Sequence, residues 1–243
     1  MLFYGVYRCR RHRFDISDYS GGGVLKHMLR LRFCKTGKAK FFSHLDLIAT
    51  MRRAILRSGI KLAYSEGFNP HPYISSAIPL SVGCGSVCEV LDFAAAEQLH
   101  YEELPSIITA MLPEGLEVLE AYVPERKFYE IAWIELSGIL YYGLGTPKCA
   151  IDRLKERYIA ESITIRKRTK RGVSDIDIAP FLRGVEFFGT DGLNMKAIVS
   201  AQNPTINPDN LISALSGEYI ELAPDFSMFT RIGFFDKDMK VFI

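Results

Sequence analysis

The sequence has no apolar run that approaches the roughly 20 residues a membrane-spanning helix needs. Its first 25 residues also lack the apolar block of a secretory signal peptide. These absences predict a cytoplasmic protein with no membrane partner. At 48% hydrophobic and 24% charged residues, the 243-residue chain has enough apolar material for one large or two small globular domains.

Cysteine is scarce as well. The five cysteines are an odd number and scattered, so we expect no disulfide framework. Cys84 and Cys88 lack a second nearby Cys/His pair, which argues against a zinc site. The glycines around Cys84 lack the further glycine and the following helix of a dinucleotide-binding fingerprint, and there is no Walker lysine motif. We therefore predict neither a metal nor a cofactor.

Basic residues are plentiful but unevenly placed, although the formal net charge is only +2. Residues 1–40 contain ten lysines and arginines against two aspartates, and residues 166–171 contain five cations and no acid. Such runs are usually solvated faces, but beside exposed aromatic residues they form a nucleic-acid footprint. Residues 1–27 show no sustained periodicity and precede a second methionine, Met28. We interpret them as a flexible basic arm or an upstream extension.

The hydrophobic pattern from Met28 onward predicts the same order of elements twice. The first set is a strand from Met28, a helix Ser43–Ser58, strands Ile74–Val82 and Cys88–Phe93, a helix Tyr101–Met111 and a strand Leu116–Val123. The second is a strand Ile131–Tyr142, a helix Thr146–Ile159, a hairpin Ile163–Arg168 with Val173–Ile178, a strand Leu193–Val199, a helix Asn207–Gly217 and a strand Ser227–Phe235. The predicted fold is α+β, with two tandem ferredoxin-like (βαββαβ) units and antiparallel sheets. We place the units at 28–123 and 128–243, and the second contains the inserted basic hairpin.

The first predicted helix has one apolar face and one basic face. Ser43 is in the position of an N-cap, with Asp46 three residues later as in a capping box. Arg53 and Arg57 fall opposite the apolar stripe. Cations near the end of a helix also suit its dipole, so stability alone would explain them.

The segment Tyr64–Leu80 contains the most unusual local sequence. Two prolines flank His71 and should hold it on an extended, polyproline-like backbone. We expect Glu66, Asn69 and His71 to converge on one small volume, near His44 at the start of the first helix. The alternative is a rigid connection to the next strand, with its polar side chains in water.

Several stretches of the sequence resemble the radical-SAM-linked protein family. They are L-R-F-C-K-T-G, F-F-S-H-L-D, A-Y-S-E-G-F-N-P-H-P, P-L-S-V-G and L-P-E-G-L-E-V-L. The resemblance runs from about Met28 to the C-terminus and is most specific before Val123. It implies a radical-SAM partner protein and an RNA context, without implying a known reaction. The chain cannot bind the radical-SAM cluster alone, because Cys84 and Cys88 have the first cluster spacing but Leu91 occupies the third cysteine position.

Three functions remain open from the sequence. The first is an RNA-binding accessory module. The second is an RNA-acting enzyme in which His71 and His44 act as general acid and base, with Glu66 or Asp46 orienting an imidazole. The third is a protein-docking subunit for the radical-SAM partner. In the first case we expect cations to contact phosphates, with aromatic and amide side chains available to bases. These candidates are Lys35, Lys38, Arg53, Arg57, Tyr64, Phe68, Asn69, Tyr73, Arg166, Lys167, Arg168, Lys170 and Arg171.

Overall fold

The secondary structure follows the predicted order closely in the first half of the chain and less closely in the second. A computed structural model describes residues 26–147, 149–169, 172–189 and 193–242. The first half contains β1 (His27–Lys35), α1 (His44–Arg57), β2 (Ile74–Ser76), β3 (Gly85–Ala95), α2 (Leu104–Thr109) and β4 (Leu116–Tyr122). The second half contains β5 (Trp133–Tyr141), α3 (Ala150–Tyr158), β6 (Thr164–Thr169), β7 (Gly172–Asp177), β8 (Leu182–Phe188), β9 (Leu193–Ser200), α4 (Pro208–Ser213) and β10 (Phe226–Phe235). The mixture of helices and strands predicted from the sequence is confirmed, whereas nearly all of the predicted arm, 1–27, lies outside the described residues.

The strands of both halves form one mostly antiparallel sheet. Its order is β4-β1-β3-β10-β5-β9-β8, with β2 paired to β3, and the hairpin β6–β7 forms a separate two-stranded sheet. The strand pairs are antiparallel except β3 with β10, which are parallel over a short contact at Gly85 and Ser86. The predicted pair of antiparallel sheets is thus corrected to a single sheet, because β10 closes the second half against β3 of the first.

A buried ion pair lies where the two halves meet. Arg231 of β10 is 3% exposed and Glu89 of β3 is 1% exposed. Arg231 Nη1 donates to Glu89 Oε1 at 2.9 Å, and the same guanidinium donates to the carbonyls of Ile78 and Pro79 at 3.2 and 3.1 Å. One side chain of the second half therefore holds both β3 and the segment after β2.

Two clusters of buried hydrophobic residues pack the helices against the sheet, and the cluster of the second half also includes Ile78, Leu80, Cys84 and Val90 of the first. In the first half, Leu47, Met51 and Ile55 of α1 belong to a buried cluster with Phe33 and Phe93 of the sheet. In the second half, buried residues of α3, β5 and β9 form the other cluster, which includes Leu136, Leu140, Leu154, Tyr158, Met195 and Val199. Burial of these faces is the main force that holds the helices to the sheet.

Helix α1 begins where the sequence predicts. Ser43 is its N-cap, and the Ser43 Oγ accepts a hydrogen bond from the Asp46 backbone N–H at 3.2 Å. The predicted apolar stripe is buried at Leu47, Met51, Ala54 and Ile55. In the part of the chain that the structure describes, no helix is long and apolar enough to cross a membrane.

Two strands differ from the prediction. The predicted strand Ile74–Val82 is reduced to β2, because Ile78 and Leu80 turn into the core and Pro79 has no N–H to continue a ladder. Strand β8 was not predicted at all, since Gly184 and the exposed Arg183 interrupt its apolar pattern. The predicted hairpin is confirmed as β6 and β7.

Candidate nucleic-acid interface

An open groove lies between α1 and the turn after α2. It has a volume of about 480 Å³ and is lined by Thr50, Arg53, Arg57, Ala110, Met111, Leu112 and Pro113. Arg57 Nη2 donates to the carbonyl of Met111, and Arg53 Nη2 lies 3.4 Å from Thr50 Oγ1. The groove thus combines two guanidinium groups, a hydroxyl and an apolar wall, a donor set that suits phosphate oxygens.

The two arginines of this groove have no acidic partner. Of the ion pairs found in the described residues, none involves Arg53 or Arg57. Both side chains are exposed. Neither positive charge is therefore neutralised by an ion pair at the protein surface, and no carboxylate is among the residues that line the groove.

The two candidate lysines before α1 differ in exposure. Lys38 is exposed. Lys35 is only 1% exposed, and its Nζ donates to the carbonyl of Phe42 at 3.0 Å. Burial lowers the pKa of Lys35. The prediction that Lys35 contacts RNA phosphate is wrong, because its amino group lies inside the protein at the end of β1.

The segment around His71 folds back on itself instead of running as an extended rail. The backbone N–H of Ser65 donates to the His71 carbonyl at 2.9 Å, and Tyr64 forms an isolated bridge with Pro72. His71 Nδ1 lies 3.0 Å from the Ser65 Oγ and 3.4 Å from the Asn69 carbonyl oxygen. Glu66, Phe68, Asn69 and His71 are all exposed at or beside the tip, and Phe68 is 111% exposed.

His71 and His44 lie at opposite ends of the first half of the sheet. His44 is the first residue of α1, two residues after Phe42. The Phe42 carbonyl accepts a hydrogen bond from Lys35, which is paired with Ser86 near the start of β3. The His71 segment follows α1 and is joined through Ala63 to Ala94, at the other end of β3. The 14-residue helix between them spans about 20 Å at 1.5 Å per residue. The prediction that His44 shares a site with Glu66, Asn69 and His71 is therefore wrong.

The basic hairpin is anchored by apolar residues and exposes part of its charge. Ile163, Ile165 and Ile178 are buried in the core of the second half. Arg166 is exposed and lies 3.8 Å from Asp175 of the opposite strand, whereas Lys167 is half-buried. Lys170 and Arg171 lie outside the described residues, and so does the side chain of Arg168.

The outer face of the sheet in the first half is covered around Arg30. Arg30 of β1 is 1% exposed, and its guanidinium lies 4.5 Å from the ring centroid of Phe128 and 5.2 Å from that of Phe242. The same guanidinium donates to Asp92 at 2.6 and 2.8 Å and to the carbonyl of Arg126 at 2.8 Å. The linker after β4 and the C-terminal segment therefore cover the outer face of the sheet at Arg30.

The outer face of the sheet in the second half is open at one end. Tyr141 of β5, Phe226 of β10 and Phe188 of β8 are 42%, 60% and 49% exposed. The sequence shows these strands as alternating patterns but does not reveal which face another segment covers. We did not predict any of these residues as functional.

The structure adds no metal site to the candidates. In the described ranges there is no group of three or more His, Cys, Asp or Glu residues that could hold a metal ion. Burial raises the pKa of Cys84 to about 11 and that of Cys88 to about 12. Both thiols are therefore protonated at neutral pH, which is unfavourable for ligation.

Comparison with protein families gives the broad identity of the chain. Residues 28–208 match the family described as "Uncharacterized protein conserved in bacteria (DUF2344)". The chain belongs to this family. The match to DUF2344 begins at Met28, where the regular hydrophobic pattern also begins, and includes the groove on α1, the His71 segment and the basic hairpin.

Curated proteins and solved structures add little to the family assignment. No curated protein matches the chain. Among solved structures, a chain in "Crystal Structure of a Cbf5-Nop10-Gar1 Complex" is similar at 10% identity with a TM-score of 0.44. The similarity covers 85% of this chain and 48% of that chain, so this protein spans about half the length of its structural neighbour.

Proposed function

We propose that this DUF2344 protein is an RNA-binding accessory module that works with a radical-SAM partner protein, in RNA or ribosome-related modification. The observation that carries the RNA-binding part is the groove in which Arg53 and Arg57 lie without acidic partners. Uncompensated guanidinium groups bind phosphate oxygens and release counterions, which is the main source of sequence-independent affinity for RNA.

Residues outside the groove whose side chains are exposed or half-buried extend the proposed surface. Lys38, Arg166 and Lys167 would add phosphate contacts, and Tyr64, Phe68 and Asn69 would offer aromatic faces and an amide at the tip of the His71 segment. Lys35 is left out because it is buried. The radical-SAM partner rests on the motifs that resemble the radical-SAM-linked family, such as S-E-G-F-N-P-H-P.

We also interpret each half as a ferredoxin-like unit. In the first half the strands lie side by side in the order β4-β1-β3-β2, which is fourth, first, third and second along the chain. In the second half the order β10-β5-β9-β8 is again fourth, first, third and second. The helices also follow the same strands in both halves, once the hairpin β6–β7 is set aside as an insertion. This repeated connectivity supports the tandem interpretation.

The first prediction concerns the groove. The double variant Arg53→Ala, Arg57→Ala should weaken binding to single-stranded RNA and reduce the slope of log affinity against log salt by about 0.7 for each lost phosphate contact. The melting temperature should change little, because both side chains are exposed and lack ion-pair partners. Fluorescence anisotropy with labelled RNA at several salt concentrations would measure both quantities.

A matched control for this variant is Lys61→Ala combined with Arg153→Ala. It also removes two positive charges, but the exposed Lys61 and the half-buried Arg153 are each paired with a carboxylate, and neither lines the groove. We expect this control to change affinity much less. Equal losses in both variants would show that only net charge matters, and unchanged affinity and slope in the groove variant would reject the groove as the RNA site.

Protein docking through the tip of the His71 segment remains a second candidate, favoured by the full exposure of Phe68. Phe68→Ala should then abolish capture of the radical-SAM partner while leaving RNA affinity unchanged. The enzymatic alternative is not proposed, because the distance between His44 and His71 prevents them from acting as an acid–base pair.

A further inference from the structure

Apolar side chains lie together at one end of the outer face of the second half. On β5 and β10, Tyr141 is paired with Phe226 and Ile139 with Met228. Ile139 is next to Asn194 of β9, which in turn is opposite Phe188 of β8. Because these residues occupy alternate positions on paired strands, their side chains lie on the same side of the sheet. We call this surface the aromatic face: Ile139, Tyr141, Phe188, Phe226 and Met228.

The aromatic face is unusually exposed for so apolar a surface. Tyr141, Phe188 and Phe226 are 42%, 49% and 60% exposed, and Ile139 is 36% exposed. The rings of Tyr141 and Phe226 are tilted against each other, with centroids 5.9 Å apart. Contiguous apolar surface of this kind marks a binding site more often than isolated apolar residues do.

A positively charged segment of the first half borders this face. Lys40 Nζ lies 3.6 Å from Met228 Sδ and 5.3 Å from the ring centroid of Phe41, which is itself 61% exposed. Lys40 takes part in none of the ion pairs of the described residues. On the strands, Lys196 is already paired with Glu135 at 2.6 Å. The free cation therefore lies at the edge of the aromatic face, beside Met228.

We infer that the aromatic face binds the bases of single-stranded RNA, with Lys40 on a neighbouring phosphate. The inference rests on the proposed RNA-binding function and assigns it a second surface, distinct from the groove on α1. Exposed aromatic rings stack on unpaired bases of any sequence, and an adjacent cation neutralises the backbone. Bases in a duplex are already stacked on each other, so this surface would bind single-stranded RNA and not duplex RNA.

Charge and aromatic composition favour RNA over a protein partner as the occupant. A protein interface tends to exclude charge from its centre and requires no phosphate-binding cation. Here Lys40, which takes part in none of the ion pairs of the described residues, lies beside Met228 at the edge of the aromatic face. The single acidic side chain of the neighbouring row on β8, Glu186, is opposite Lys196. On the corresponding face of the first half, the rings of Phe128 and Phe242 cover Arg30.

The test is the double variant Tyr141→Ala, Phe226→Ala, with a labelled oligouridine of about 12 nucleotides as the probe. We expect the dissociation constant to rise about tenfold for each lost ring, and roughly a hundredfold for both. The salt dependence should stay nearly unchanged, because no charge is removed. A duplex RNA of the same length should show little change.

Two controls separate stacking from a loss of structure. Tyr129→Ala removes a tyrosine that is 74% exposed but lies outside the aromatic face, so it should leave affinity unchanged. Tyr141→Phe keeps the ring and should retain most of the binding.

The outcomes distinguish this inference from the proposed function. If the unaltered protein binds no RNA, both fail. If the Arg53, Arg57 variant loses affinity while the Tyr141, Phe226 variant does not, the proposed function stands and the aromatic face is rejected. Equal losses of affinity for oligouridine and for duplex RNA in the Tyr141, Phe226 variant would also overturn the inference. So would a loss of radical-SAM partner capture by that variant with unchanged affinity for oligouridine.

Discussion

Glu89→Gln should lower the free energy of unfolding by about 3–5 kcal/mol. The substitution preserves the shape of the side chain but leaves the Arg231 guanidinium charged, buried and without its carboxylate. The two carbonyls that Arg231 also binds cannot neutralise a full charge. A loss of this size should reduce the melting temperature by roughly 10 °C in a chain of this length. Thermal and urea denaturation would measure it.

The partner substitution provides an internal check. Arg231→Met alone should be costly as well, since it leaves Glu89 unpaired, but Glu89→Leu with Arg231→Met should recover much of the lost stability. Replacing both members removes the need to desolvate either charge. As a surface control, Glu120→Gln breaks an ion pair with Arg32 in which the side chains are 51% and 34% exposed, and it should cost at most about 1 kcal/mol. Similar losses in Glu89→Gln and Glu120→Gln would contradict the argument.

The ion pair also bears on the proposed RNA surface, because it joins the two halves of the sheet. Arg231 belongs to β10, the strand that also contributes Phe226 and Met228 to the aromatic face. Glu89 belongs to β3, which begins at Gly85. In the turn just before β3, the Gly83 N–H donates to the Lys40 carbonyl. The contact between β3 and β10 therefore helps to fix Lys40 beside Met228. Neither half alone provides both the cation and the rings.

Local sequence patterns were sufficient for most elements of the first half. The alternation of Leu29, Leu31 and Phe33 gave β1, and Ser43 with Asp46 gave the start of α1. The same alternation, extended by two residues, places Lys35 on the core face, where it is buried. Local patterns could not predict that the two halves share one sheet, because the strands that join them, β3 and β10, are more than a hundred residues apart in sequence.

The candidate sites depended on tertiary relations that the sequence reveals less directly. Arg53 and Arg57 were predicted on an exposed helical face, and helical periodicity alone places them there. His44 and His71 were predicted to meet, but they are separated by the full length of α1, which the sequence had already indicated. The aromatic face was missed because period-2 alternation identifies the two faces of a strand without showing which one another segment covers.

Arg30→Met should also destabilise the protein by about 3–5 kcal/mol. The methionine fills a similar volume between Phe128 and Phe242, so the main loss is electrostatic: Asp92, whose side chain is 13% exposed, would keep its charge without a partner. Arg30→Lys should recover only part of the loss, since a lysine cannot donate to both oxygens of Asp92 and to the carbonyl of Arg126 in the same planar geometry.

Arg32→Met is the matched control for this prediction, because Arg32 is two residues further along the same strand on the same side. Its ion pair with Glu120 is partly exposed, so its loss should cost at most about 1 kcal/mol. Denaturation of the three variants beside the unaltered protein would test the order Arg30→Met, Arg30→Lys, Arg32→Met from most to least destabilised. If Arg30→Met were no more costly than Arg32→Met, the linker and the C-terminal segment would not be held to β1 by this guanidinium, and the outer face of the first half could open to RNA.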